Sequence, residues 1–458
     1  MALSRTLSSR ERRGRQASDP EDVRAPRTAL NDDGIPAATA YDIVASELLL
    51  DGASRLNLAT FVTTWMPAEA AQLMADTADK NMIDKDEYPQ TAEFEARCVN
   101  IIADLWNAPE HEHATGCSTT GSSEAAMLGG LALKWRWRER ATAAGRPTGT
   151  PNLVMGANVQ VCWEKFCRYW DVEPRLVPVE GDRLHLGAEQ AVQRCDENTI
   201  GVVAILGSTF DGSYEPVAEI AQALDAYERD SGNYVPIHVD AASGGFVAPF
   251  LQPDLEWDFR LERVQSINSS GHKYGLVYPG VGWAIWRNEE ALPRNLVFNV
   301  NYLGGNMPTF ALNFSRPGSE VIAQYFMFLT LGRAGYTLAQ HRSQSVARYL
   351  AEQIAGIGPY ECLTTAADLP VFAFKLKDGV TNYTVFDVSA KLRERGWKVP
   401  AYSFPDNRTD LEVLRIVVRA GMNHDMADLL LADLRTQTEF LESLEAPLPR
   451  RRERVFAH

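Results

Sequence analysis

Two short segments place a lysine and an aspartate where a carbonyl cofactor could use both. Lys273 lies in the run Asn268-Ser-Ser-Gly-His-Lys-Tyr-Gly275, a small and flexible stretch after a predicted strand, in a chain with nine Lys against 36 Arg. Loops that follow strands are where ligand sites gather in α/β proteins. Asp240 closes the apolar run Pro236–Val239, and the small residues Ala241 to Gly245 behind it let a ligand approach the backbone. A lysine that forms a covalent imine and a carboxylate that holds a protonated pyridine nitrogen are the two groups pyridoxal phosphate takes from its protein. An unpaired Asp240 would be costly to bury, whereas pairing with a pyridinium would satisfy it. A third segment, Gly121-Ser122-Ser123, opens a strong helix and offers hydroxyls, free backbone N–H groups and the positive end of the helix dipole to an anion. Alone, each has an ordinary reading, an exposed loop Lys or a Ser N-cap. Together they outline one site.

The elements that must position these groups alternate. Short β-rich runs at Leu153–Met155, Leu176–Val179, Gly201–Leu206, Pro236–Val239, Ser266–Ile267 and Gly282–Trp286 are separated by helical stretches. This pattern predicts an α/β fold with a mostly parallel sheet. Helices are expected from about Asp42, after Ser123, over Ser319–Leu331 and over Gln340–Ile354. The apolar runs Val371–Leu376 and Leu414–Val418 flank a helix at Val385–Arg395 and form a small α+β domain. The expected division is an N-terminal segment 1–55, a large domain 56–343 and a small domain 344–458.

Composition narrows the function. With 45 Lys+Arg against 60 Asp+Glu the net charge is -15, so the summed field repels nucleic acid and anionic membrane. Six cysteines are scattered without a CxxC pair, against a zinc module or disulfide framework and in keeping with a reducing cytoplasm. No apolar run reaches the length of a membrane span, and no signal-peptide core follows Met1. Neither a GxGxxG after a strand nor a GxxxxGK[ST] is present, so dinucleotide and Walker sites are poor competitors. The first 30 residues are Arg-rich and poor in apolar residues, which reads as a mobile tail rather than a transit peptide.

The segments around Ser122, Asp240 and Lys273 resemble those of the group II pyridoxal-phosphate amino-acid decarboxylases. Further runs resemble the glutamate decarboxylase branch: Asn57-Leu-Ala-Thr-Phe61, Ile83-Asp-Lys-Asp-Glu-Tyr-Pro-Gln90, Lys134-Trp-Arg-Trp-Arg138, Phe298-Asn-Val-Asn-Tyr-Leu-Gly-Gly305 and Asn313-Phe-Ser-Arg-Pro317. The resemblance covers residue 40 or so to the end. It implies a fold-type I pyridoxal-phosphate enzyme that converts L-glutamate to 4-aminobutyrate and CO2 and consumes a proton.

By this resemblance Lys273 carries the cofactor, while His272 helps hold the phosphate and supplies a proton. Asp240 meets the pyridine nitrogen, Ala242 packs under the ring and Gln160 lies over it. Thr209 touches the ring's polar edge. Ser122, Ser123 and Ser270 bind the phosphate with Ser315 of a second copy. Thr60, Phe61, Asn81 and Asp84 frame the substrate's side-chain carboxylate, and Arg415 is available to the other. An Asp beside a carboxylate requires one of the two to be protonated, in keeping with work in acid. Residues that reach across subunits imply at least a homodimer, and a hexamer is open.

In bacterial relatives a His near the C-terminus blocks the site at neutral pH, and His458 falls in the matching place; acid would release an imidazolium. The basic run at Arg450–Arg454 is too short and too poor in aromatics for calmodulin. Glu164 departs from a His that many relatives carry close to the cofactor. The Arg-rich start also departs from the segment with which acid-responsive relatives bind membrane and assemble. A decarboxylase of another amino acid on the same fold, or a non-catalytic pyridoxal-fold interaction protein, is the competing reading.

Overall fold

Val-, Ile- and Leu-rich runs that lack polar alternation demand strands covered on both faces, and the chain builds such a sheet. The computed structural model describes residues 25–300, 307–446 and 448. Its strands are β1 (Thr115–Thr119), β2 (Asn152–Gly156), β3 (Glu173–Val177), β4 (Thr199–Ile205), β5 (Ile237–Asp240), β6 (Val264–Ser269) and β7 (Gly282–Trp286), then β8 (Phe298–Val300), β9 (Met307–Thr309), β10 (Tyr360–Cys362), β11 (Val371–Leu376), β12 (Ala401–Ser403) and β13 (Glu412–Val417). Its helices are α1 (Ala37–Leu48), α2 (Ala68–Asp76), α3 (Pro89–Leu105), α4 (Ser122–Ala143), α5 (Val161–Tyr169), α6 (Ala188–Gln193), α7 (Val217–Ser231), α8 (Ala248–Leu251), α9 (Ser319–Ala355), α10 (Val385–Glu394) and α11 (His424–Glu442).

The large sheet runs in the order β1-β7-β6-β5-β4-β2-β3. Pairs from β3 through β6 are parallel, and β7 runs antiparallel to both β6 and β1. Every residue of β2, β4 and β5 is buried. Alternate side chains divide between two layers. Val202 and Ala204 pack with Ile220 and Leu224 of α7 and with Met327 and Phe328 of α9. Leu153, Met155, Val203 and Ile205 pack with Trp137 of α4 and with Trp163 and Phe166 of α5. The close approach of α4 depends on glycine, because a Cβ at Gly129 would overlap the His238 ring on β5.

A second sheet, antiparallel in the order β10-β11-β13-β12, packs Phe372, Phe374 and Ile416 against Leu392 of α10, Leu430 and Leu434 of α11 and Leu350 of α9. The part of residues 1–54 that is described holds α1, which buries none of its residues. Among the described residues no helix is long and apolar enough to cross a membrane.

Six expected strands of the large sheet are present within three residues of their expected ends. Three elements differ. The two helices expected at 319–331 and 340–354 are one run, α9, interrupted at Gly332, whose φ of 56° is a conformation glycine adopts freely. The expected domain boundary at 343/344 falls inside that run. The strand β1 was hidden by its polar sequence Thr-Gly-Cys-Ser-Thr; it is recruited by pairing with β7, with Gly116 tight against Ile285. α11, whose buried face is Leu430, Leu431 and Leu434, completes the second layer.

Glu215 lies between β4 and α7 and accepts hydrogen bonds from Asn158 Nδ2 (3.0 Å), the Leu186 N–H (3.0 Å) and the Ile205 N–H (2.7 Å). Burial nevertheless pushes its carboxyl up to about 7. Between the ordinary carboxyl range and that value the folded chain holds a proton that the unfolded chain has released. The contribution is thus full in acid and is lost as pH rises through 7. Denaturant unfolding from about pH 4 to about pH 8 should show the wild type losing on the order of 3 kcal/mol more than Glu215→Gln.

Candidate active site

The groups singled out by type converge where parallel strands end, the place at which an open α/β sheet binds ligands. Lys273 sits in the turn after β6 with its Nζ donating to Ser243 Oγ at 3.1 Å. Burial pushes its ammonium below the ordinary value, opposed by Asp240 and assisted by Arg415. Burial that favours the neutral amine over the ammonium makes a lysine a better nucleophile. The backbone that presents it is pinned from outside the motif, by Thr63 Oγ1 donating to the Lys273 carbonyl (2.5 Å) and the Thr63 N–H to the His272 carbonyl (2.7 Å).

Asp240, the last residue of β5, is 5% exposed. Its Oδ2 accepts from Trp163 Nε1 at 2.8 Å, and its Oδ1 accepts from the Ala242 N–H at 3.1 Å and from Asn268 Nδ2 at 3.0 Å. Of the four acceptor positions on a carboxylate, three are used and one remains on Oδ2. A ring N–H would complete it.

A cavity of about 300 Å³ joins Lys273 and Asp240 to Ser122 and Ser123 at the start of α4, and Gln160, Thr209, Ala242, Ser270 and His272 line it as well. Ser122 Oγ accepts from Asn268 Nδ2 at 3.0 Å, which leaves its hydroxyl hydrogen free to donate. Ser270 Oγ is buried and has no partner among the described residues. A donor without a partner beside a helix N-terminus fits a phosphate, so this end suits the phosphate of pyridoxal phosphate as the Asp240 end suits its ring nitrogen. Burial, with Lys273 beside it, pushes the His272 imidazole down to about 4, and Nδ1 accepts from the Gly280 N–H at 3.4 Å. The ring is neutral above that value and carries its proton on Nε2.

Gln160 caps α5 by accepting from the Cys162 N–H at 2.7 Å. The Phe61 ring lies 5.2 Å from Lys273 Nζ and 4.9 Å from the Arg415 guanidinium, so it reaches both groups, and Thr60 Oγ1 accepts from the Val62 N–H at 3.1 Å. Arg415 is buried and donates to the carbonyls of Thr209 and Ala59 (2.6 Å), with Nε left unpartnered. Asn81, Asp84 and Ser315 are brought together elsewhere: Asn81 Nδ2 donates to Asp84 Oδ2 at 3.0 Å and to Ser315 Oγ at 3.3 Å. None of these three lines the cavity. His458 lies outside the described residues. Glu164 corrects an expectation, because it is exposed on α5 and does not line the cavity, while its neighbour Trp163 points inward to Asp240.

Four residues that matter here escaped the sequence reading. Trp163 and Asn268 hold Asp240, Ser243 holds Lys273, and Glu124 holds Thr120 (N–H to Oε2, 2.8 Å) and Asn313 (N–H to Oε1, 3.1 Å) across α4. Asn268 alone left a signal, a polar residue two positions after Ser266 and so on the same face of its strand.

Residues 34–377 match the pyridoxal-dependent decarboxylase conserved domain. The glutamate decarboxylase of Aliivibrio fischeri is 56% identical over 403 residues, 88% of this chain and 87% of the relative. The glutamate decarboxylase beta of Listeria innocua is 47% identical over 429 residues, 93% of this chain and 92% of the relative. The solved glutamate decarboxylase of Lactobacillus brevis superposes with a TM-score of 0.90 at 47% identity, covering 93% of this chain and 98% of that one.

Ser270→Ala should weaken pyridoxal phosphate binding roughly tenfold or more, the worth of one hydrogen bond to a charged group. The melting temperature of the cofactor-free protein should not fall, since the hydroxyl has no protein partner to lose. Equilibrium titration and thermal melts check the two parts.

Proposed function

Because this chain belongs to the pyridoxal-dependent decarboxylase family and matches glutamate decarboxylases over most of its length, we propose that it converts L-glutamate to 4-aminobutyrate and CO2, taking up one proton per turnover. Pyridoxal 5'-phosphate supplies the electron sink for the charge left at Cα when CO2 departs. The observation that carries the reading is the shared cavity, which faces a buried amine and a buried carboxylate at one end and an unpartnered seryl hydroxyl at a helix N-terminus at the other.

Lys273 would hold the cofactor covalently and, once substrate has displaced it, hold a proton on Nζ for delivery to Cα. Asp240 would accept the ring N–H and oppose its positive charge, a favourable exchange only because the carboxylate is already stripped of water. Ser122, Ser123 and Ser270 would donate to the phosphate, and the neutral His272 would add its Nε2–H. Ala242 and Gln160 would bound the ring on its two faces and Thr209 its edge. Arg415, with no carboxylate partner among the described residues, would take a substrate carboxylate.

Asn81, Asp84 and Ser315 would serve a second copy of the chain, which their joint placement away from the cavity supports, so the working unit would be at least a homodimer in the cytoplasm. The cofactor-binding part would end near residue 343, with 344–458 as the closing domain. His458 would block the site at neutral pH and leave it in acid.

Purified protein with added pyridoxal phosphate should release CO2 and 4-aminobutyrate from L-glutamate, most in acid and less toward neutrality. Lys273→Ala should abolish turnover, and Asp240→Asn should lower kcat by roughly 10²- to 10³-fold, the cost of removing one electrostatic stabiliser. Removing residues 455–458 should flatten the pH profile. A cofactor-loaded protein that turns over another amino acid but not glutamate would sink the substrate assignment.

A further inference from the structure

His238 is buried two residues before Asp240 on β5, and the register of β5 against β6 pairs His238 with Ser266 and Asp240 with Asn268. The four side chains form one chain of hydrogen bonds. Ser266 Oγ lies 2.7 Å from His238 Nδ1, and His238 Nε2 lies 2.7 Å from Asn268 Oδ1. Asn268 Nδ2 lies 3.0 Å from Asp240 Oδ1 and 3.0 Å from Ser122 Oγ.

The direction of every hydrogen follows. Asp240 Oδ1 only accepts, so the Asn268 amide must face it with its nitrogen and turn its oxygen to His238. That oxygen needs a donor, so His238 carries its proton on Nε2. Burial pushes the ring below its ordinary value, against Asn268 and Asp240, and so favours the neutral form, in which Nδ1 accepts from the Ser266 hydroxyl. From Ser266 through His238 and Asn268 each donor therefore points toward Asp240, with the second Asn268 N–H directed to Ser122. The two hydrogens of a single amide meet the two ends of the cofactor site, the carboxylate at the ring-nitrogen end and the hydroxyl at the phosphate end. Tight packing fixes the arrangement, since α4 crosses the imidazole at Gly129 with no room for a Cβ, and the Trp163 ring stands 5.1 Å from it on another side. The charged groups around His238 are few: Asp240 faces it from its own strand, and its other hydrogen-bonding neighbours, Ser266 and Asn268 on β6, are neutral.

We propose that Asn268 is the positioning residue that couples the ring-nitrogen and phosphate ends of the cofactor site, and that His238 fixes the orientation of its amide. Neither side chain lines the cavity, so both act through Asp240 and Ser122. The proposal rests on the reading above that Asp240 meets the pyridine nitrogen of pyridoxal phosphate. Asn268 keeps the Asp240 carboxylate aimed and in need of one more donor, and it makes Ser122 a donor toward phosphate. Loss of the amide should loosen both ends at once.

The test uses holoenzyme reconstituted with pyridoxal phosphate labelled with 15N in the ring. In the wild type the ring nitrogen should show the shift of a protonated pyridine. In Asn268→Asp, which keeps the size but replaces both donors with an acceptor, the shift should move toward unprotonated pyridine. Cofactor affinity and kcat should each fall roughly 10- to 100-fold, the usual cost of losing a group that orients a reacting partner, with KM for glutamate little changed. His238→Leu should show the same signature more weakly. His238→Gln, whose amide can still donate to Asn268, should restore the wild-type shift; this pair carries the test should Asn268→Asp not fold. A folded Asn268→Asp holoenzyme with the wild-type ring shift and wild-type cofactor affinity would overturn the coupling. A His238→Gln variant indistinguishable from His238→Leu would overturn the role of His238. A wild type whose ring nitrogen is not protonated would instead bring down the reading of Asp240 itself.

Discussion

A carboxylate and an amine stripped of water in one cavity form the constraint on which the rest of this structure depends. Neither Asp240 nor Lys273 would be stable there without directed partners, because desolvation disfavours the charged form of each. The fold supplies those partners from separate elements: Trp163 from α5, Asn268 from β6 and the Ala242 N–H for the carboxylate, and Ser243 for the amine. Asn268 lies near the end of β6 and Trp163 in the first turn of α5, while Ala242 and Ser243 lie in the turn that follows β5.

The same logic extends outward through buried arginines. Arg415 and Arg419, on and just after β13, donate to the backbone carbonyls of Asn57, Ala59 and Val62 and so hold the segment whose Phe61 ring lies 5.2 Å from Lys273 Nζ. Arg316 donates to Glu95 Oε1 at 3.2 Å, and that oxygen also takes the Ser118 N–H at 3.0 Å, tying the segment after Ser315 to α3 and β1. Removing either partner of such a buried pair leaves an uncompensated charge, which makes these contacts rigid rather than merely attractive. The small antiparallel sheet is thereby tied to residues 57–62, beside the cavity.

The protonation states follow from burial as much as from residue type. Burial pushes both His238 and His272 below their ordinary value, yet they differ in place, one hydrogen-bonded to an amide inside the core and the other lining the cavity. Glu215 shows the opposite sign, a carboxyl held protonated toward neutrality despite three donors. An interior that shifts bases down and acids up would be least strained in mildly acidic surroundings for its carboxyls and in neutral ones for its imidazoles.

From the sequence alone came the chemistry and the class of fold. Lys273, Asp240 and Gly121-Ser-Ser123 could be read because together they supply the amine, the carboxylate and the anion cradle of one cofactor, and six strands of the large sheet could be read because continuous apolar runs leave few alternatives. Local pattern failed where an element is stabilised by its neighbours. β1 is polar and exists through β7; α9 reads as two helices because Gly332 breaks the periodicity; and Glu164 was set beside the cofactor although the turn of α5 aims Trp163 there instead. Only the tertiary structure decided that the Asn268 amide would bridge Asp240 and Ser122, residues 28 and 146 positions away in the chain. Such a contact is set by the register of β5 on β6 and the packing of α4 across them, and sequence spacing carries no trace of either.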